Sequence, residues 1–265
     1  MLEAVEKAIG VMRKHYAEPL TLGTLANEAA YSKFHFARAF RGVTGIAPGH
    51  YLSAVRIFEA KKRLLNTTSS VSDIVSEIGY SSVGSFTTRF TRKVGAAPSQ
   101  YRSPEVKQLL ACVSRELAQL PDFEVARRAK QSQQIVFEET GSIIGTVLLP
   151  ENGGAADILV GLFDSAVPQA NPIECQVFVD SKRTHLHLAR VPVGRWTAFA
   201  VAQRSSGTNN SGDFMVTDPT GPIDVVPGGI AQLSLRLRWP TRIDLPVAMT
   251  VACPLSLVST TQIRA

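Results

Sequence analysis

From Tyr31 to Arg41 the chain reads YSKFHFARAFR, and the four-residue spacing of Phe36 and Phe40 sets both rings on one side of a helix. The opposite side then carries Lys33, Phe34, Ala37, Arg38 and Arg41. Cations there can neutralise phosphates, and an arginine can donate two parallel hydrogen bonds to O6 and N7 of a guanine. Arg38 is the strongest base reader of this set. A second stretch, YSSVGSFTTRF from Tyr80, turns Phe86 and Phe90 inward by the same spacing and exposes Ser82, Val83, Gly84, Ser85, Thr87, Thr88 and Arg89. That face is small and nearly uncharged, suited to thymine methyls and backbone oxygens, and it discriminates bases less than an arginine does. The competing interpretation is a small helical bundle whose Lys and Arg are solvated charges.

The elements that must position these two faces form an internal repeat. LTLGTLANEAAYSKFHFARAFRGVTGIAPGHY, from Leu20, lies over SVSDIVSEIGYSSVGSFTTRFTRKVGAAPSQY, from Ser70. Leu25 matches Ile74 and Tyr31 matches Tyr80. After one inserted residue Phe36, Phe40, Gly45, Pro48 and Tyr51 match Phe86, Phe90, Gly95, Pro98 and Tyr101. Each copy predicts a short helix, a tight turn and a second helix, with Thr21 and Ser70 or Ser72 as N-caps. Gly79 suits a left-handed turn. Ala30 stands in its place in the first copy, so that turn is either strained or built differently. Before the first copy, Val5, Ile9, Met12 and Tyr16 mark one face of a helix that ends before Pro19. Between the copies, HYLSAVRIFEAKKRLLN predicts one continuous helix with Arg56, Lys61, Lys62 and Arg63 off its apolar face. Some 18 residues span about 27 Å, of the order of the ~34 Å between successive major-groove faces.

The charge is divided accordingly. The whole chain is +6, but residues 1–103 hold 14 Lys and Arg against 7 Asp and Glu, a balance of +7, whereas residues 135–265 hold 9 against 11, a balance of −2. Only the first part has an electrostatic reason to seek phosphate. At 45% hydrophobic and 19% charged the chain reads as globular and, at 265 residues, as more than one domain. Its opening lacks the apolar core of a signal peptide, and no run reaches the ~18 apolar residues of a membrane span, so a cytoplasmic protein is expected. Cys112, Cys175 and Cys253 are far apart and lack metal-site spacing, which fits reduced, buried thiols. No GxSxG, P-loop or HExxH motif is present, and a non-enzymatic role without cofactor is expected.

The expected architecture is multi-domain, α and β. An all-α tandem helix-turn-helix domain occupies residues 1–103. Residues 104–134 form a further amphipathic helix, carried by Val106, Leu109, Leu110, Val113 and Leu117, and a polar linker from Pro121. Residues 135–265 form an antiparallel β-sandwich from short runs such as SIIGTVLLP, ILVGLFD, CQVFVD, THLHLARV, RWTAFAVA, PIDVV and IAQLSLRLRW. Phe163, Trp196 and Trp239 are the candidates for lining a small-molecule pocket there, against the plainer alternative of inward-facing core. Phe214 and the SGTNNSG loop are candidates for a lid. His185 and His187 share a strand face, but no third metal ligand accompanies them.

Residues 2–102, above all IVSEIGYSSVGSFTTRFTRKVGAAPSQYR, resemble the DNA-binding domain of the AraC/XylS family of transcription regulators. The resemblance implies a seven-helix domain that binds adjacent major grooves on one face of double-stranded DNA and activates, or sometimes represses, a promoter. RNA polymerase, a small-molecule effector and a homodimer partner are its implied associates. By position it places base reading on Phe34, Ala37 and Arg38, then on Val83, Gly84, Ser85, Thr87 and Thr88. Thr88 stands where the family's second unit usually carries arginine, with Arg89 one place later. The VPVG turn before RWTAFAV is similar to the turns of transthyretin-like and carboxypeptidase-regulatory-like sandwiches. The resulting expectation is a C-terminal domain that senses a small ligand or, alternatively, mediates dimerisation or polymerase contact.

Overall fold

The fold is described from a computed structural model over residues 1–114, 118–131, 137–205 and 213–251. The chain divides into two compact units, the first made of Met1–Ser103 with Thr241–Pro246, the second of Pro104–Pro240 with Val247–Ala265. Thr241–Pro246 therefore departs from the expectation that everything after residue 135 belongs to one C-terminal domain.

The first unit holds α1 (Leu2–Lys14), α2 (Leu22–Glu28), α3 (Lys33–Thr44), α4 (Pro48–Asn66), α5 (Val71–Glu77), α6 (Val83–Val94) and α7 (Pro98–Tyr101). Val5, Ile9 and Met12 of α1 are buried, as their helical spacing requires. Pro48 and Pro98 open α4 and α7, where a missing N–H costs nothing. Gly45 and Gly95 close α3 and α6 at φ +76° and +85°, a left-handed cap that glycine adopts without steric penalty. α4 runs for 19 residues without a break, about 28 Å of rigid spacer. No described helix is long and apolar enough to cross a membrane.

The second unit is rich in antiparallel strands. It contains α8 (Pro104–Gln108), β1 (Leu110–Val113), β2 (Ala118–Gln119), α9 (Phe123–Gln131), β3 (Thr140–Leu148), β4 (Ala156–Phe163), β5 (Glu174–Ser181), β6 (Arg183–Pro192), β7 (Gly194–Arg204), β8 (Phe214–Val216), β9 (Thr220–Val225), β10 (Ile230–Arg236) and β11 (Val247–Thr250). The helix expected after Pro104 stops at Gln108, and the apolar run that follows is a strand paired with β11 in the register Leu110↔Thr250 to Val113↔Val247. Residues 121–131, read as linker, instead carry α9.

Among the described residues three sheets form, in the orders β11-β1-β2, β10-β3-β6 and β5-β4-β7-β8, with β9 also on β7. All described pairings are antiparallel except β10 with β3, which is parallel. Ile158, Val160 and Leu162 of β4 and Ala198, Ala200 and Ala202 of β7 share one core with Ile143, Val147, Leu186 and Leu235 of the β10-β3-β6 sheet. Leu159, Phe163, Phe199 and Val201, pointing the other way, share a second core with Ala111, Val113, Met249 and Ala126. The central sheet is thus covered on both faces, and for that reason ILVGLF reads as an unbroken apolar run instead of an alternation.

Candidate nucleic-acid interface

Each half of the helical unit builds its second helix from the same parts. Ser32 Oγ accepts from the backbone N–H of His35 at 3.4 Å, and Ser82 Oγ accepts from that of Ser85 at 3.3 Å, so both helices start from a serine cap. Thr21 Oγ1 accepts from Thr24 N–H ahead of α2. Ser70 and Asp73 form a reciprocal capping box ahead of α5. The inward aromatic ladders superpose in kind. Phe36 and Phe40 lie 5.6 Å apart and Phe40 and Tyr51 5.5 Å, against 5.4 Å for Phe86–Phe90 and 5.6 Å for Phe90–Tyr101. The last pair of each ladder is edge-on, at 87° and 82°, the arrangement the ring quadrupoles favour.

The turns agree as well. Tyr31 N–H donates to Ala26 O and Tyr80 N–H to Val75 O, across a left-handed residue, Ala30 at φ +59° and Gly79 at φ +78°. Alanine in that region costs roughly 1 kcal/mol, so the first turn keeps the geometry of the second and carries the strain.

The outward faces differ. On α3, Lys33, Arg38 and Arg41 are exposed, Ala37 is half-buried, and Phe34 is 89% exposed at the first turn. An aromatic ring held almost wholly in water has no packing reason to be there. On α6, Ser82, Val83, Gly84, Ser85, Thr88 and Arg89 are exposed and Thr87 is half-buried. Two of these hydroxyls have local work, since Ser82 caps the helix and Ser85 Oγ donates back to Ser82 O at 3.0 Å. Arg89 stands over the Tyr80 ring at 5.9 Å. Each predicted set therefore lies away from the buried phenylalanines of its helix. The sequence reading passed over Arg92 and Lys93, exposed cations in the last turn of α6, although their place beyond Phe90 was visible in the repeat.

The two halves are fastened by more than the spacer. From α4, Arg56 Nε donates to Tyr16 O at 2.7 Å and its Nη2 to Glu18 O at 2.8 Å, while its guanidinium lies 5.6 Å from the centre of the Tyr80 ring. Burial draws the Arg56 pKa below the ordinary arginine value and the nearby Arg89 charge adds to that, opposed by Tyr80. Arg63 bonds Tyr16 Oη at 2.8 Å, Glu59 at 2.9 Å and Glu77 of α5 at 2.9 Å. Burial pulls its pKa down, but the bonds to Tyr16 and Glu77 outweigh it and leave the value raised. A Cβ on Gly79 would lie 2.2 Å from Ala17 O, so the second turn touches the backbone between α1 and α2 directly. Lys61, also on α4, is buried with Nζ 5.3 Å from the centre of the Tyr101 ring.

In the strand-rich unit the candidate pocket residues do not converge. Phe163 lies in the core shared with β1 and β11, whereas Trp196 and Trp239 pack against the other one. Trp196 Nε1 donates to Pro192 O and Trp239 Nε1 to Asn152 Oδ1, with Arg204 stacked over Trp239 at 5.0 Å. Phe214 is buried, and residues 206–212 of the expected lid, like Cys253, lie outside the described residues. Cys112 and Cys175 are buried. His185 and His187 are exposed, and among the described residues no group of three metal-ligating side chains forms.

Comparison with known proteins places the resemblance in the helical unit. Residues 25–103 match the family described as a helix-turn-helix domain. The chain is 39% identical over 83 residues to the HTH-type transcriptional activator AarP of Providencia stuartii, covering 31% of this chain and 62% of that protein. It is 35% identical over 89 residues to the bifunctional transcriptional activator/DNA repair enzyme AdaA of Bacillus subtilis, covering 34% and 42%. The chain thus spans less than two thirds of these two relatives. It is 31% identical over 99 residues to the probable transcription factor PqrA of Proteus vulgaris, covering 36% of this chain and 81% of that protein. With a relative matched over most of its length, and with the capped, doubled helix-turn-helix on which that match falls, the chain belongs to the AraC/XylS family of transcription regulators.

Proposed function

We propose that the protein is a sequence-specific regulator of transcription that sets α3 and α6 into adjacent major grooves of double-stranded DNA and reads them unequally. The observation that carries this is the pair of serine-capped helices, built on matching aromatic ladders, with a cationic and aromatic outer face on one and a hydroxyl-rich face on the other. The names of AarP and PqrA, an activator and a probable transcription factor, point the same way. Phosphate contacts by Lys33, Arg41, Arg92 and Lys93 make binding fall steeply with salt. Selection of bound duplexes from a random pool tests the reading. It should return a bipartite site, one half strongly specified and the other weakly, about one helical turn apart. A pool that shows no enrichment over random sequence overturns it.

For the strand-rich unit, the packing favours an interaction module, for dimerisation or polymerase contact, over a small-ligand sensor built on Phe163, Trp196 and Trp239. Those rings are spent on two separate cores and on their own hydrogen bonds. Thermal unfolding that depends on protein concentration supports the module. A small compound that stabilises by about 2.7 kcal/mol at 100 times its Kd restores the sensor. The DNA-repair activity in the name of AdaA is not carried over, since both described cysteines are buried.

A further inference from the structure

Six residues from far along the chain, Thr241–Pro246, complete the first half of the helical unit. Ile243 and Leu245 pack against the cluster that holds Ile9, Met12, Phe40 and Tyr51. The Arg13 guanidinium donates to the Asp244 carbonyl and, at 3.3 Å, to Tyr51 Oη. Tyr51 Oη in turn lies 3.2 Å from Asp244 O and 3.3 Å from Ile243 O. The segment is shaped for this place. The Asp244 carboxylate accepts from the N–H and the hydroxyl of Thr241, closing a tight turn, and Pro240 and Pro246 restrict the backbone on either side. An Ile-x-Leu pair left in water would forfeit its burial, and the two backbone carbonyls supply acceptors to a largely buried guanidinium and phenol. In the second half the matching tyrosine, Tyr101, is covered differently, by Lys61.

The chain enters this segment from β10 and leaves it into β11, whose ladder with β1 is four residues long. Of the two strands that flank the segment, β11 is therefore held by the shorter described ladder, four residues against the seven of β10 with β3. We propose that Thr241–Pro246 is a regulatory strap. Docked, it holds α1, α2 and α3 in their ordered arrangement, and a ligand or partner that shifts β11 releases it and loosens the α3 reader while leaving the α6 reader intact. The regulatory consequence rests on the DNA reading proposed above. The structural coupling does not.

The test uses the full chain and hydrogen exchange read by mass spectrometry. Without DNA, the double variant Ile243→Ser, Leu245→Ser should exchange about tenfold or more faster than the parent in α1–α3, with α5 and α6 accelerated far less and serving as an internal reference. Equal acceleration in both halves, or none in α1–α3, overturns the strap. Should the double variant not fold, Arg13→Met, which keeps the aliphatic stem and removes the donor to Asp244 O, must accelerate the same segments alone. Coupling is reciprocal. A duplex recovered from the selected pool should therefore slow exchange at residues 243–245 of the parent, and unchanged exchange with that duplex bound overturns the regulatory role. A chain that binds no duplex overturns the DNA reading instead, and the strap then stands or falls on the first comparison.

Discussion

Ala30 and Gly79 occupy the same position in the two repeats and the same left-handed region of backbone, at φ +59° and +78°, but Ala30 is exposed whereas a Cβ on Gly79 would meet the backbone of Ala17. The two positions should therefore respond oppositely to exchange of glycine and alanine. Ala30→Gly relieves left-handed strain at the expense of unfolded-state entropy and should raise stability by up to about 1 kcal/mol. Gly79→Ala adds the same strain and a clash at 2.2 Å, and should lower stability by more than about 2 kcal/mol. Urea unfolding of both variants checks the pair. A Gly79→Ala protein as stable as its parent would show that Ala17 moves aside at no cost.

Arg38 stands exposed on α3, without an acidic partner among the described ion pairs, whereas α6 offers Thr88 at the place where the family usually has arginine. Arg38→Ala should cost about 1 to 3 kcal/mol at one base pair of the site and relax specificity there. Thr88→Ala should cost less than about 1 kcal/mol, the worth of a neutral hydrogen bond. Competition binding against duplexes with single base changes measures both. Equal losses would make the two readers equivalent.

Ser82 is one of the residues expected to face DNA; it is exposed, but its hydroxyl caps α6. The two roles separate by substitution. Ser82→Ala should destabilise by about 1 kcal/mol, whereas Ser82→Gly, tolerated at an N-cap, should lose only a few tenths. If capping is its main contribution, Ser82→Gly binds DNA nearly as the parent does. An equal loss of affinity in both variants would assign the hydroxyl to the DNA contact.

What the sequence made legible follows from what a local pattern can encode. Phe36, Phe40 and Tyr51 repeat as Phe86, Phe90 and Tyr101 because an inward aromatic ladder fixes its own spacing, and the exposed faces follow by helix geometry. The run around Leu109 to Val113 has helical spacing too, yet it forms a strand because Val247–Thr250, more than a hundred residues on, supplies its partner. Periodicity alone does not separate a buried strand from a buried helix in so short a run. Arg56 and Arg63 could be placed off the apolar face of α4, but the targets of Arg56 are backbone carbonyls, which every residue type offers alike. Phe163 and Trp196 were grouped by chemistry. The register Phe163↔Thr197 sets the neighbouring Trp196 on the opposite face of the sheet.

Arg56 converts that geometry into a prediction about spacing. It holds the carbonyls of Tyr16 and Glu18 while lying against Tyr80, so it fixes one half of the helical unit against the other. Arg56→Ala should lower stability by about 2 kcal/mol through the lost charged hydrogen bonds. It should also weaken the preference for one half-site spacing when duplexes with one inserted or deleted base pair compete. Arg56→Lys keeps the charge but not the fork that reaches both carbonyls, and should restore little. A variant that keeps the parent's spacing preference would return that role to the spacer helix alone.

Tyr51 gives the helical unit an alkaline limit. Its pKa is raised above the ordinary tyrosine value, first by burial, with the Asp244 charge adding, against the charge and hydrogen bond of Arg13. In the unfolded chain a tyrosine ionises near pH 10, so above about that pH the unfolded state releases its proton first and the folded state binds more protons. Stability then falls as pH rises. The contribution of Tyr51 is complete below the unfolded value and is lost as pH climbs through the folded one. Tyr51→Phe has no such proton, so the stability gap between parent and variant, from urea unfolding, should stay level between about pH 7 and about pH 9 and shrink above about pH 10. A gap that widened there would mean that Arg13 stabilises the phenolate more than burial opposes it.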